Sequence, residues 1–464
     1  MAAWFRFMQI AWETWRFRRG DGEAIARRQQ ARLQELVRHA RTASPYYREL
    51  YRHLSPGPVV LHSLPVTNKR DLMAHFDDWV TDPEITLEAV RRDFLSDPSL
   101  TGALYLGRYH VVTTSGTSGH PAVLVHDADS WALLSVLSRR GRWQFVGRWD
   151  VILGMARRGL RVAALFVVGR GHFGAAAALE SARRRGRSLA RRFRVFDVLR
   201  PLPDLVAELN LFQPTAIEGY PSAVELLATE QRAGRLRIEP VLIVTAGEVL
   251  STAVRTAVET TFGCPVVNNY GSAEFVALAV ECRHGRFHVN SDWFLVEAVD
   301  GNYGPVPPGV SSHTVLVTNL ANRVQPLIRY DLGDRVTMAV DPCACGNRLP
   351  AMTVEGRTGD LLTFESAQGN AIKVLPLALG TVIEETPGVG RFQAIQTGRR
   401  TLQVRLETSP GADPGQGWET LDHRLSEFFN AQGIAAVSVE HAQESPSVDP
   451  RSGKFRQVWS VSGE

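Results

Sequence analysis

Apolar residues recur near helical spacing through Ala24–Ala40, among arginines and glutamines, and predict an amphipathic helix that closes at Ser44-Pro45. Tyr46, Tyr47 and Tyr51 follow, so Met1–Leu54 reads as a helical layer packed on a larger domain. From Leu104 to about Val340 the texture changes to a short apolar run, a glycine-bearing turn and a helix, repeated. Val162–Val168 precedes Gly169-Arg170-Gly171-His172-Phe173-Gly174, and Thr215–Ile217 precedes Glu218-Gly219-Tyr220-Pro221-Ser222. Val241–Val244 leads into Thr245-Ala246-Gly247-Glu248, where Ser251 is placed to cap the next helix, and Val266-Val267 leads into Asn268-Asn269-Tyr270-Gly271-Ser272-Ala273-Glu274. Runs bounded in this way predict buried strands of an α/β sheet with ligands gathered at their carboxyl ends.

After Asp292 the pattern alternates, with strands predicted at Phe294–Val299 and Thr314–Thr318 before the turn-rich Arg329-Tyr330-Asp331-Leu332-Gly333-Asp334. Beyond Gly356-Arg357-Thr358-Gly359-Asp360 the chain reads as a compact α+β unit. Its strands fall at Gly390–Thr397, Leu402–Glu407 and Ala436–Glu440, and its helix at Trp418–Ala431. The fold class is therefore α/β. A large N-terminal domain, residues 1–355, combines mixed sheets, helices and a smaller β layer, and a small α+β domain occupies residues 356–464.

Composition narrows the function. Apolar residues at 44% and charged residues at 22% fit a globular protein with a large core, and a net charge of +4 is too mild to imply nucleic acid. The apolar stretches are too short to span a bilayer, and Arg6, Glu13, Arg16, Arg18 and Arg19 interrupt the N-terminal aromatics. A cytoplasmic protein without a membrane partner, monomeric or homodimeric, is the expectation. Lysine occurs only at Lys69, Lys373 and Lys454, and four cysteines exclude a disulfide scaffold.

In Thr113-Thr114-Ser115-Gly116-Thr117-Ser118-Gly119-His120-Pro121 hydroxyls alternate with glycines. Glycines let backbone N–H groups approach an anion, and hydroxyls add uncharged donors, a combination that suits a polyphosphate. The stretch is not a Walker A loop, because His120 stands where a lysine would be and no Gly-Lys-Ser/Thr follows.

Six short motifs then appear in order: Thr114-Ser-Gly-Thr-Ser-Gly119, Ala246-Gly-Glu248, Tyr270-Gly-Ser-Ala-Glu274, Tyr330-Asp-Leu-Gly-Asp334, Gly356-Arg357 and Ser452-Gly-Lys454. In this order they resemble the adenylate-forming superfamily of acyl-CoA ligases. Ala43-Ser-Pro-Tyr-Tyr-Arg48, Leu64-Pro-Val-Thr-Asn-Lys69 and Gly219-Tyr-Pro-Ser222 point to its phenylacetate–CoA ligase-like branch. The resemblance implies that a carboxylate attacks the α-phosphate of ATP, pyrophosphate departs, and the acyl group passes to CoA. It implies a phosphate cradle at Thr114, Ser115, Gly116, Thr117, Ser118 and Gly119, and Mg²⁺ at Glu274. An adenine slot is implied at Ala246, Gly247, Glu248, Asn269 and Tyr270, with Gly271 and Ser272 in the same turn. Asp334 is implied as the ribose acceptor, with Arg357 in the nucleotide set, and Lys454 as the catalytic cation of a mobile C-terminal domain. His172 resembles an aromatic gate between the substrate channels.

Departures from the family pattern bear on the acceptor. Ala273 stands for a customary threonine, His120 for a lysine, Asp331-Leu332 for Arg-Thr, and Gly359 for a hinge aspartate or lysine. CoA thus competes with a carrier protein or an amine as acceptor. A diazotase activating nitrite for an aryl amine, or a non-catalytic nucleotide-binding scaffold, are the other readings. The acid should be aromatic, because Phe173, Tyr220 and Phe275, with Ala246, Gly247 and Ala273, offer flat apolar walls without a basic side chain. Cys343-Ala-Cys345 in a tight turn, with Cys282 and His288, suits a structural tetrahedral Zn²⁺, His284 being the alternative nitrogen, whereas Cys264 reads as core.

Overall fold

The N-terminal pattern produces a helix spanning Gly22–Ala43 that buries Ile25, Leu33, Leu36, Val37 and Ala40. Ser44 caps the next helix, Pro45–Leu50, accepting from Tyr47 N at 3.3 Å. The computed structural model of the chain describes residues 8–10, 12–14, 22–54, 57–114, 122–140, 149–168, 176, 192–248, 250–355, 362–374, 376–409, 412–447 and 457–461. Two compact units emerge: one comprises Met1–Thr113, Ala122–Ile152 and Val267–Gly356, the other Thr114–Pro121, Leu153–Val266 and Arg357–Glu464. The fold is mixed α/β, and no helix among the described residues is long and apolar enough to cross a membrane.

In the first unit, strands β1 (His110–Thr113) and β2 (Val123–His126) pair antiparallel with Thr113 opposite Val123, and all their residues are buried. In the sequence the hydroxyl–glycine run lies between these two strands. Gln325 fixes β2 through its primary amide, accepting from Val125 N at 2.8 Å and donating to Val123 O at 3.1 Å. The N-terminal helices belong to the same unit: Tyr47 Oη and Trp79 Nε1 both donate to Pro326 O, at 3.0 and 2.7 Å.

The second unit contains strands β3 (Val162–Phe166), β4 (Phe193–Asp197), β5 (Ala216–Gly219) and β6 (Leu242–Ala246), parallel in the order β4-β3-β5-β6. Helices Leu202–Phe212 and Pro221–Arg232 make the crossovers that parallel pairing requires. The strands read as apolar runs because both faces are covered: Ala163, Leu165, Ile217 and Ile243 are buried with Leu209, Val224 and Leu227 of the helices, and Ala164, Ala216, Leu242 and Val244 on the opposite face are buried as well. Ser251 caps the helix Thr252–Phe262 by accepting from Val254 N at 3.2 Å, as the sequence predicts.

Strand β7 (Val266–Tyr270) brings the chain back to the first unit, where β8 (Ala279–Glu281) and β9 (Phe287–Val289) follow antiparallel. The alternating region forms β10 (Phe294–Val299) and β11 (Thr314–Asn319), against which the short β12 (Tyr330–Asp331) pairs, then β13 (Arg335–Met338) and β14 (Ala351–Glu355). Thr67 pairs in parallel with Tyr330: Thr67 N donates to Arg329 O at 3.0 Å and Asp331 N to Thr67 O at 2.8 Å. This ladder places Lys69, the first residue of the helix Lys69–Ala74, beside β12.

The C-terminal segment forms a hairpin of β15 (Leu362–Glu365) and β16 (Ala371–Val374). A sheet follows, built from β17 (Val389–Gly398), β18 (Thr401–Thr408), β19 (Ser438–His441) and β20 (Val458–Ser460), ordered β19-β18-β17-β20. Helix Pro414–Ala431 carries the predicted Trp418–Ala431, and β19 starts at Ser438, two residues later than expected. Leu362, Phe364, Leu421 and Phe429 continue the core of Leu205, Val224 and Leu227. Gln432 Nε2 donates to Leu199 O at 2.9 Å, and Lys373 pairs with Glu225 at 3.5 Å.

Candidate active site

In the first unit, β7 ends in the turn Tyr270-Gly271-Ser272-Ala273-Glu274, closed by Phe275 N donating to Ser272 O at 3.1 Å. Only glycine fits at the second position, because a Cβ on Gly271 would lie 2.5 Å from Phe275 O and 2.9 Å from Ala277 N. Tyr270 Oη donates to Asp334 Oδ2 at 2.9 Å, which joins two of the predicted motifs. Asp334 stands at the end of a loop folded by Asp331, whose carboxylate accepts from Thr314 Oγ1 at 2.5 Å, Gly333 N at 3.1 Å and Tyr303 Oη at 3.1 Å. The departure at Asp331 therefore does structural work in placing Asp334.

Glu274 is 6% exposed, and its Oε1 accepts from Tyr330 Oη at 3.2 Å. Burial and the neighbouring Glu274 charge hold the Tyr330 phenol well above its ordinary pKa, so it remains a donor. Lys69 Nζ lies 3.9 Å from the same oxygen. Lys69 closes the motif Leu64–Lys69, in which no role was read for it; that motif and the rarity of lysine were the available signals. Asn269 Oδ1 and Ser272 Oγ are buried with no hydrogen-bond partner among the described residues, so this turn carries unused polar capacity. Thr114 is buried at the end of β1. Phe275 corrects the expectation of an aromatic wall: its ring is fully buried, 5.5 Å from Tyr330 and 6.2 Å from Phe294, because the turn folds it into the core.

In the second unit, the carboxyl ends of β5 and β6 bring Tyr220, Ser222, Ala246, Gly247 and Glu248 together. Glu248 Oε2 accepts from Ser222 Oγ at 2.5 Å and Ser222 N at 3.0 Å. Burial raises the Glu248 pKa, and the Ser222 hydrogen bonds oppose that rise. Gly247 has φ +88°, a conformation that strains any other residue, and a Cβ there would crowd the Tyr220 ring at 3.2 Å. The Tyr220 ring meets Phe166 edge-on at 5.4 Å, adding an aromatic neighbour that the motifs did not reveal. Ala246 is half-buried at the end of β6, and Ala273 is half-buried in its own turn.

Cys282, His288, Cys343 and Cys345 converge, their ligand atoms all within 4.8 Å of one another. Cys282 Sγ and Cys343 Sγ are 3.7 Å apart, and Cys345 Sγ is 3.2 Å from His288 Nε2. His288 Nδ1 faces Leu349 O at 2.9 Å, a contact that makes Nδ1 the protonated nitrogen and leaves Nε2 to ligate. Tight turns at Gly285 (φ +71°) and Gly346 (φ +80°) bend both ligand-bearing segments. His284 is exposed and outside the group, and Cys264 is buried core. Ser115, Gly116, Thr117, Ser118, Gly119, His172, Phe173, Arg357 and Lys454 lie outside the described residues.

No protein-family profile matches the chain. It is 26% identical, over 477 residues, to a phenylacetate–coenzyme A ligase of Thermus thermophilus, covering 95% of this chain and 97% of that protein. It is 27% identical over 137 residues to the protein CapK of Staphylococcus aureus, 29% of this chain and 28% of that one. Among solved structures, a 2-hydroxyisobutyryl-CoA ligase in complex with 2-HIB-AMP and CoA superposes with a TM-score of 0.57 at 22% identity, covering 96% of this chain and 91% of that chain. That likeness establishes the fold.

Proposed function

We propose that this chain, a homologue of phenylacetate–CoA ligases with the fold of the adenylate-forming ligases, activates a carboxylic acid with ATP and transfers the acyl group to CoA. The observation that carries the reading is the convergence, within one unit, of Asp334 on Tyr270 and of Glu274 on Tyr330. One turn thus connects an acidic acceptor suited to ribose hydroxyls with a buried carboxylate suited to a hard cation.

An oxygen of the acid attacks the α-phosphorus, the bond to the bridging oxygen breaks, and pyrophosphate departs with that electron pair. The CoA thiol, losing its proton to solvent, then attacks the acyl carbon, and AMP leaves with the electron pair of the acyl–oxygen bond. Asp334, held by Tyr270, accepts from the ribose. Tyr330 and Lys69 orient Glu274 through Oε1. Mg²⁺ at Glu274 would neutralise phosphate oxygens when bound. Lys454 would pair with the attacking carboxylate and the α-phosphate oxygens, as a compact charge on a flexible stem. Gly247 and Glu248 form a slot for the adenine, and Thr114–Gly119 cradles the phosphates.

The acid is aromatic in this reading, because Tyr220 with Phe166 supplies ring faces in the second unit. His172 and Phe173 are assigned to the gate and to the acid. The thiolates and imidazole of Cys282, His288, Cys343 and Cys345 fit a closed structural Zn²⁺ site by donor type and tautomer. ATP and CoA as co-substrates go with a cytoplasmic setting in this reading. Functionally the chain divides at residues 355–356, the C-terminal part carrying Lys454 to the reaction. The test is Lys454→Ala. Pyrophosphate release should be lost while ATP binding, measured by calorimetry, stays within about threefold of the parent. Unchanged pyrophosphate release removes Lys454 from the mechanism.

A further inference from the structure

Tyr270 and Asp334 flank a run of hydrogen-bonded strands ordered β13-β14-β9-β8-β7. Tyr270 ends β7 and pairs with Ala279 of β8, and Asp334 directly precedes β13. The four Cys/His donors ride on the same strands. Cys282 follows β8 and turns the chain into β9, its N donating to Arg286 O at 2.9 Å. His288 lies in β9 between Val280 and Ala351, and Cys343 and Cys345 lie in the loop joining β13 to β14. β8 and β9 have three residues each and β13 has four, so little chain separates the donors from the nucleotide pair. Phe287 shortens the path further: it adjoins His288, and its ring is 6.0 Å from that of Tyr270.

Two of the donors are also placed to react with each other. Cys282 Sγ and Cys343 Sγ are 3.7 Å apart, and Cys282 is half-buried whereas Cys343 is buried. Cys345 is turned toward His288 Nε2 at 3.2 Å and accepts from Asn347 N at 3.4 Å. We infer that Cys282 and Cys343 form a reversible oxidation site, at which a hydroperoxide makes a disulfide, frees the metal and thereby weakens ATP binding. The inference rests on the zinc and ATP assignments proposed above and adds a modification to them. The Cys282 thiolate attacks one peroxide oxygen, the O–O bond breaks and hydroxide leaves, giving a sulfenic acid. The Cys343 thiolate then attacks the Cys282 sulfur, the S–S bond forms and a second hydroxide leaves. The two thiolates have lost two electrons, the peroxide has gained them, and both hydroxides take protons from solvent. One thiolate and one imidazole remain, too few donors to retain Zn²⁺. The disulfide still ties the two turns, so the fold persists, but His288 and Cys345 are no longer held. Phe287 then supports the Tyr270 ring less firmly, and the Tyr270–Asp334 hydrogen bond slackens with it.

The test uses the full chain, reduced and loaded with zinc, titrated with hydrogen peroxide. A metallochromic dye should report about one equivalent of zinc released for every two thiols lost. Peptide mass mapping should find Cys282 joined to Cys343. Calorimetry should show the Kd for ATP raised about fivefold, with the acid KM within about twofold and turnover at saturating ATP close to that of the reduced protein. Circular dichroism should remain that of the folded chain, and dithiothreitol with added zinc should restore ATP affinity. Cys264→Ala, in the core outside the donor set, should leave these results unchanged. The inference is overturned if zinc stays bound as thiols are oxidised, if the mapped disulfide joins Cys343 to Cys345 or involves Cys264, or if the oxidation resists dithiothreitol. It is also overturned if the disulfide form binds ATP as the reduced protein does, or if the acid KM rises as much as the Kd for ATP, which marks general disruption. Protein that folds without zinc defeats the metal reading, and reduced protein that binds no ATP defeats the adenylation reading. Zinc and ATP that both bind, with no link between them, defeat only this inference.

Discussion

Tyr270 Oη donates to Asp334 Oδ2 at 2.9 Å, joining residues 64 apart in sequence through one charge-assisted hydrogen bond. It occupies one carboxylate oxygen and sets the plane of the other. Tyr270→Phe removes the donor and keeps the ring, so the KM for ATP should rise about tenfold, as losing a hydrogen bond to a charged group predicts. Asp334→Ala should cost more, and the acid KM should move in neither variant. An unaltered KM for ATP in Asp334→Ala would remove the ribose contact from the account.

Gly271 is enclosed by Phe275 O and Ala277 N. A Gly271→Ala methyl must push the turn open, because both neighbours are backbone. The melting temperature should fall, and ATP turnover should fall further than stability alone explains, since Glu274 rides on the same turn. Wild-type turnover and melting in this variant would show that the turn relaxes freely.

Purified without chelator, the protein should contain about one equivalent of zinc, and chelation should lower the melting temperature before it slows pyrophosphate release. Cys343→Ser should reproduce the loss of stability. Metal analysis that finds no zinc in folded, active protein would leave Cys282, His288, Cys343 and Cys345 as a set of reduced thiols beside an imidazole.

His126, 1% exposed, has its pKa lowered from 6.5 to about 4 by burial. The residues facing it are Trp131, Ser130 and Asn322, none of them ionised at these pH values, with His110 stacked on the far ring. The unfolded chain binds a proton near pH 6.5 that the folded chain refuses until about pH 4. Stability present above pH 6.5 is therefore lost as the pH falls through that window, by up to about 3 kcal/mol. Denaturant titrations from pH 7 to pH 4 should show the slope, and His126→Gln should flatten it. An identical slope in the variant would assign the loss to other groups.

The parallel strands were legible because burial on both faces writes an unbroken apolar run, as in Val162–Phe166. Ser251 was legible because a cap is a local interaction. Lys69 beside Glu274 was not: a two-residue ladder between Thr67 and Tyr330 has no period to read, and 205 positions separate the two charges. Phe275 was misread for a related reason. An aromatic residue in a motif looks the same whether the turn points it at a ligand or into the core, and here the neighbours Tyr330 and Phe294 decide. The four zinc-type ligands could be grouped from residue type, with His288 preferred and His284 the alternative, and the structure gathers His288 with the three cysteines while His284 is exposed.

Acid activation through an acyl-adenylate is read from its products when the protein is incubated with ATP, Mg²⁺ and a panel of benzoate-, phenylacetate- and long-chain aliphatic acids, with and without CoA, and the mixture is analysed by mass spectrometry. An aryl-adenylate should accumulate without CoA, and an aryl-CoA thioester should form with it, together with AMP and pyrophosphate. Release of ADP and phosphate, or no acid-dependent consumption of ATP across the panel, would contradict the account.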